Sequence, residues 1–164
     1  MPICTGLKVD NIKSKSGIKA LNHSHYSPRG FTALYDAIGK AIQETDIMVA
    51  SLPNTERPNH VLMVIITDGQ ENASKVFSSE AIKSLIATHE NLLNWSFEYL
   101  GAGLKDFTDA DLLGLNYRVN NETPSWNKVF NSVSESTVRF RFAKPTENDQ
   151  IMKDLFSDLN DKEN

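Results

Sequence analysis

The sequence predicts an α/β protein, specifically a three-layer α/β/α sandwich around a mostly parallel sheet. Residues 60–67 (HVLMVIIT) are apolar at both sets of alternating positions, which is typical of a parallel strand covered by helices on both faces. Helical periodicity precedes and follows this strand, over residues 32–51 and 78–91. Strands that alternate with helices favour a parallel sheet with helices packed against it.

The remaining elements are assigned from the same two periodicities. Residues 7–12 and 17–21 alternate apolar and polar side chains around a short polar turn, which predicts a β-hairpin. Ser78 or Ser79 suits the N-cap of the second helix. Further along the chain we expect, in order, a strand at 95–101, a short helix at 109–113, a short strand at 116–119, a long helix at 125–140 and an amphipathic helix around 151–159.

The composition is that of an ordinary globular chain. It has 164 residues, is 40% hydrophobic and carries a formal net charge of -4, so it can fold as one domain. The single cysteine, Cys4, excludes an internal disulfide framework and a multi-cysteine zinc site. The longest apolar run is too short to cross a bilayer, and the first residues lack the order of a secretory signal. We therefore expect a cytoplasmic protein with no membrane partner.

Positive charge is concentrated at the start of the chain. Residues 1–29 hold five Lys or Arg and one Asp. A nucleic-acid-binding arm would combine such charge with several aromatic residues, but Tyr26 is the one aromatic residue in this segment. Scattered lysines are typical of protected edge strands. We interpret the segment as a solvated hairpin and expect no nucleic-acid partner.

Three motifs carry a resemblance to a known family. They are residues 30–39 (GFTALYDAIG), residues 66–74 (ITDGQENAS) and residues 95–102 (WSFEYLGA). Together and in this order they resemble the helix start, strand end and following strand of von Willebrand factor A (VWA) domains of bacterial or phage type. The resemblance extends from about residue 5 to residue 141. It implies the α/β/α fold and a binding site beyond the carboxyl ends of the strands.

The resemblance also implies a metal-ion-dependent adhesion site. In that family, oxygen ligands from three loops hold a divalent cation, and Thr32 and Asp68 match the second and third loops. Mg²⁺ suits such ligands because it takes oxygen atoms in an octahedron and keeps several waters. The expected metal ligands in this chain are therefore Thr32 and Asp68, with Mg²⁺ as the possible cofactor.

The chain departs from the family at its N-terminal side. The Asp-x-Ser-x-Ser motif of the first loop does not occur in it, and the first strand, the helix that follows and the next strand are missing. We therefore interpret residues 1–141 as a truncated VWA-like domain with a degenerate metal site, which another chain could complete. Residues 142–164 are interpreted as a C-terminal amphipathic helix and an acidic tail.

The missing strands predict a partner. The strand from Val61 to Ile66 lacks the neighbour that it has in the family, and a bare apolar edge is an aggregation template. The N-terminal hairpin, a second copy or another protein must cover this edge. We expect a homo-oligomer or an obligate complex, and hence a non-catalytic protein-interaction module. The alternative is a divalent-metal-dependent hydrolase that uses Asp68, Glu71 and Asp36.

The same residues also have structural interpretations. Thr32 could be the N-cap of its helix, since capping needs only the hydroxyl group. Asp68 and Gly69 could form a turn after the strand. Asp36 lies in the first helical turn, where a carboxylate favours the helix dipole. Glu71 is expected to be solvated.

Overall fold

The computed structural model describes residues 31–67, 69–102, 108–115, 118–121, 131, 134–135 and 137–139. The predicted hairpin at 7–21, Asp68 and the predicted helix around 151–159 lie outside these residues. Within the helix predicted over 125–140, every described residue is helical.

Helices and strands alternate along the described chain, which confirms a mixed α/β protein. Each boundary lies within about two residues of its expected position. The elements are helix α1 (Leu34–Ser51), a 3₁₀ turn (Asn54–Glu56), strand β1 (Val61–Thr67), helix α2 (Ser79–Leu93), strand β2 (Trp95–Ala102), helix α3 (Thr108–Leu113) and strand β3 (Arg118–Asn121).

The described strands form one parallel sheet in the order β1-β2-β3. Val61 lies opposite Trp95, and the pairing of β1 with β2 continues to Thr67 opposite Gly101. Within the described residues β1 is therefore an edge strand and β2 is central. The sequence predicted full coverage of β1 on both faces, but most of β1 is half-buried and Ile66 is 49% exposed.

The hydrophobic core lies on one face of this sheet. Side chains alternate between the two faces of a strand, so the odd-numbered positions of β1 and β2 share that face. They pack against apolar residues of all three helices. The buried core residues are Leu34, Tyr35, Ile38, Ile42, Ile65, Ile82, Ile86, Trp95, Phe97, Tyr99, Ala110, Leu113 and Leu115.

Local interactions fix the start of α2 and the loop before it. Ser78 is the N-cap, as expected, and its hydroxyl accepts a hydrogen bond from the Ala81 N–H at 3.3 Å. Phe77 packs so closely on α1 that a Cβ atom at Gly39 would lie 2.6 Å from the phenyl ring. The absence of a side chain at Gly39 therefore lets the loop after β1 lie flat against the first helix.

Candidate functional site

The two loop motifs meet beyond the carboxyl end of β1. The Asn72 N–H donates to the Thr32 carbonyl oxygen at 3.0 Å, and the Thr32 N–H donates to Asn72 Oδ1 at 2.8 Å. A Cβ atom at Gly69 would lie 2.6 Å from Thr32 Oγ1, so a larger residue there would displace the threonine hydroxyl. The structure thus brings together two segments that are about 40 residues apart in the chain.

Thr32 does not cap helix α1. The N-cap position is occupied by Ala33, whose side chain makes no capping hydrogen bond. The interpretation of Thr32 as the N-cap is therefore wrong, because the helix begins one residue later than that role requires. The Thr32 hydroxyl lies against the Gly69 turn instead.

A second threonine organises the turn after β1. The Thr67 hydroxyl donates to the Gly69 carbonyl oxygen at 2.7 Å and accepts a hydrogen bond from the Gly69 N–H at 3.2 Å. Thr67 is buried at the end of the strand, so this turn is anchored from within the fold. Asp68, the other predicted metal ligand, lies outside the described residues.

Asp36 binds the backbone of the loop that leads to α2. Its carboxylate accepts hydrogen bonds from the N–H groups of Lys75, Val76 and Phe77, each at 2.9 Å. Burial by itself would raise the pKa of Asp36, but these three donors outweigh it and hold the pKa below its ordinary value. The role expected from the sequence, an interaction with the helix dipole, misses these loop contacts.

Glu71 is not solvated, contrary to the sequence-based expectation. Its carboxylate accepts from the N–H groups of Tyr35, Ala73 and Ser74 and from the Ser74 hydroxyl, at 2.7–3.0 Å. Burial opposes ionisation, but the bonds from Ser74 and the two other N–H groups outweigh it and lower the pKa of Glu71. The Ser74 hydroxyl also accepts from the Asp36 N–H at 3.0 Å, which joins the two carboxylate networks.

Asp109 completes the arrangement and was not singled out from the sequence. One of its carboxylate oxygens accepts from the Tyr35 hydroxyl and the other from the Glu71 N–H, both at 2.9 Å. Burial raises the pKa of Tyr35, and the bond to Asp109 raises it further. Asp109 lies in the first turn of α3. Acidic residues are common at that position because they favour the helix dipole, so the position does not predict a bond to Tyr35 or Glu71.

These three carboxylates bind the protein's own donors. We call Asp36, Glu71 and Asp109 the loop carboxylates, because together they hold residues 71–77 on α1 and α3. A shallow groove of about 480 Å³ lies along this loop, with Tyr35, Ser74 and Phe77 among its lining residues. The arrangement can fix a binding surface in one conformation, and each loop carboxylate already accepts at least two hydrogen bonds.

The described residues alone do not fit a Mg²⁺ site. Such a site needs about six oxygen ligands, part of them water. Of the two predicted ligands, only Thr32 lies in the described part of the chain, and no group of three or more His, Cys, Asp or Glu residues there could hold a metal. Metal binding by Thr32 and Asp68 therefore stays a prediction.

The chain matches no protein-family model, no curated protein and no solved structure. The resemblance to VWA domains therefore rests on the three sequence motifs. Among the helices of the described residues, none has the length and apolar character needed to cross a membrane.

Proposed function

We propose that this chain is a non-catalytic protein-interaction module of the VWA type, a three-layer sandwich with a degenerate metal-ion-dependent adhesion site. Its interaction surface is the outer edge of β1, which a second copy or another protein covers. The observation that carries the proposal is the position of β1, an almost wholly apolar strand, at the edge of the described sheet.

The direction of the backbone groups supports this surface. The Val61 N–H donates to the Asn94 carbonyl oxygen on the β2 side, at 3.2 Å. Because backbone groups alternate along a parallel strand, the N–H groups of Leu62, Val64 and Ile66 point toward the opposite side. No strand among the described residues pairs with that side. An added strand would satisfy these groups, which is a common mode of protein recognition.

The loop carboxylates support binding rather than hydrolysis. A metal-dependent hydrolase needs carboxylate oxygens directed at the ion and its bound water. Asp36 and Glu71 instead accept seven hydrogen bonds between them from loop and helix donors. Freeing either carboxylate for a metal would leave several backbone N–H groups without an acceptor.

Sedimentation of wild-type protein and two variants of Val64 tests the proposed edge. The single chain weighs 18.3 kDa, and the proposal predicts a heavier species. Val64→Pro removes the outward N–H and should shift the protein to a monomer, since proline is tolerated on an open edge. Val64→Ala is the matched control: it loses a similar side-chain volume, keeps the N–H and should stay assembled. A stable, soluble wild-type monomer at every concentration would contradict the proposal.

Calorimetric titration with Mg²⁺ and Mn²⁺ tests the degenerate site. The proposal predicts no binding heat at submillimolar metal concentrations, because the sequence contains no Asp-x-Ser-x-Ser motif. Asp68→Ala and Thr32→Ala serve as controls. Strong binding that both variants abolish would restore a complete metal site and reopen the hydrolase alternative.

A further inference from the structure

A buried histidine joins the first two helices at the end of the molecule away from the candidate site. His89 of α2 is 4% exposed, and its Nε2 lies 2.9 Å from Asp46 Oδ2 of α1. Its Nδ1 lies 2.7 Å from the Leu85 carbonyl oxygen, one turn earlier in α2. The edge of the ring packs on Trp95 of β2, with the ring centroids 4.7 Å apart.

Both neighbours of the imidazole are hydrogen-bond acceptors. A neutral imidazole carries one N–H group, whereas the imidazolium carries two. The Leu85 carbonyl and an ionised Asp46 can only accept. The imidazolium therefore satisfies both contacts, and the neutral ring leaves a nitrogen lone pair facing an oxygen atom.

We propose that His89 is a proton-operated clamp between α1 and α2: the imidazolium holds Asp46, and loss of one proton releases it. The Leu85 carbonyl is fixed within α2, whereas the Asp46 side chain is 44% exposed and can turn to water. The neutral ring therefore keeps its Nδ1–H bond to Leu85 and loses the bond across the helices. This device is independent of the proposed β1 interface.

Among the described residues, Asp46 is the charged group that is hydrogen-bonded to the ring. The α1 helix contributes its carboxylate, β2 contributes the uncharged Trp95, and α2 itself contributes the Leu85 carbonyl. The nearest other ion pair on α1 joins Lys40 to Glu44 at 3.7 Å. Loss of one ring proton therefore changes the charge that faces Asp46.

Urea unfolding at pH 5.5 and pH 8 tests the clamp. The experiment uses Glu98→Gln as the parent, because the buried carboxyl of Glu98 also titrates near neutral pH. Between pH 5.5 and pH 8, the unfolding equilibrium constant should rise in the parent and rise less in the parent that also carries Asp46→Asn. The factor by which it rises should be about ten times larger in the parent. Glu44→Gln removes a carboxylate from the same helix without touching His89 and should keep the rise of the parent.

The ring nitrogens of the wild-type protein provide a readout that needs no variant. Nuclear magnetic resonance should show both His89 nitrogens protonated at pH 5.5 and only Nδ1 protonated at pH 8. An equal pH dependence in the parent and the Asp46→Asn variant would overturn the clamp. A ring that keeps one charge state across the whole range would overturn it as well.

Discussion

Asp36 and Glu98 are both buried, but their carboxyl groups differ in their hydrogen-bond partners and in the direction of their pKa shifts. Asp36 is 4% exposed and accepts three backbone hydrogen bonds from the loop after β1. Glu98 is 0% exposed in the middle of β2, and neither of its carboxyl oxygens has a hydrogen-bond partner among the described residues. The first group lies beside the candidate site, and the second lies on the opposite face of the sheet from the core helices.

The difference shows that partners, and not burial alone, decide the charge of a buried acid. The loop N–H groups keep the pKa of Asp36 below its ordinary value against the effect of burial. Desolvation without a partner raises the pKa of Glu98 from 4.5 to about 7. Asp36 therefore stabilises the fold as an anion, whereas Glu98 is compatible with the fold as a neutral acid.

Replacing Asp36 should have the largest effect on stability. Asp36→Asn keeps the shape of the side chain but turns an amide NH₂ toward the N–H donors of residues 75–77. We expect a loss of about 3 kcal/mol in the free energy of unfolding, because buried donors lose a charged acceptor. Urea unfolding at pH 7 measures this loss. Glu44→Gln, an exposed change on the same helix, should cost under about 0.5 kcal/mol, and a similarly small loss for Asp36→Asn would contradict the assigned role.

The buried acid should make stability fall as pH rises. The pKa of Glu98 is about 7 in the folded protein, whereas its ordinary value is 4.5. Between these two pH values the folded protein therefore keeps a proton that the unfolded chain has lost. This stabilisation is complete below the unfolded pKa and is lost as the pH rises through the folded pKa. The free energy of unfolding should fall by about 2 kcal/mol between pH 5 and 8.

Two variants isolate the contribution of Glu98 to that pH dependence. Glu98→Gln removes this ionisable group and should remove about 2 kcal/mol of the fall between pH 5 and 8, so that the smaller pH dependence assigned above to His89 remains. Glu56→Gln, which removes an exposed carboxylate, should leave the profile as in the wild type. An unchanged slope in Glu98→Gln would show that another group titrates.

The smallest expected effect concerns the connection between the loop and α3. Tyr35→Phe removes the hydroxyl that donates to Asp109 and should cost about 1 kcal/mol. Thermal unfolding measures the cost, and the double variant Tyr35→Phe/Asp109→Asn tests the coupling. The two single losses should fail to add, since the groups share one bond. Strict additivity would count against that bond.

The sequence predicts the elements of this fold well because each is specified locally. Periodicity gives α1, β1, α2 and β2 to within two residues, and Ser78 caps α2 as its position suggested. The resemblance to VWA domains also implies the proximity of Thr32 to the turn at Gly69, because Thr32 and Asp68 match two loops of one site in that family.

The partners of the acids could not be predicted in this way. Asp36 and Glu71 bind backbone N–H groups, which carry no residue type and leave no pattern in the sequence. Glu98 occupies a polar position in an alternating strand, which is typical of a solvent-exposed face, yet it is fully buried. Its burial depends on long-range packing that periodicity does not encode.

The central claim is that the outer edge of β1 is an interface. Hydrogen exchange at the Val64 amide tests this claim most directly. The account predicts that this N–H, which points away from β2, becomes protected as assembly proceeds with rising protein concentration or on addition of a partner. The Ile65 N–H, which points toward β2, should be protected at every concentration and serves as the internal reference. Protection of Val64 that is the same in dilute monomer and concentrated protein, or absent in both, would contradict the account.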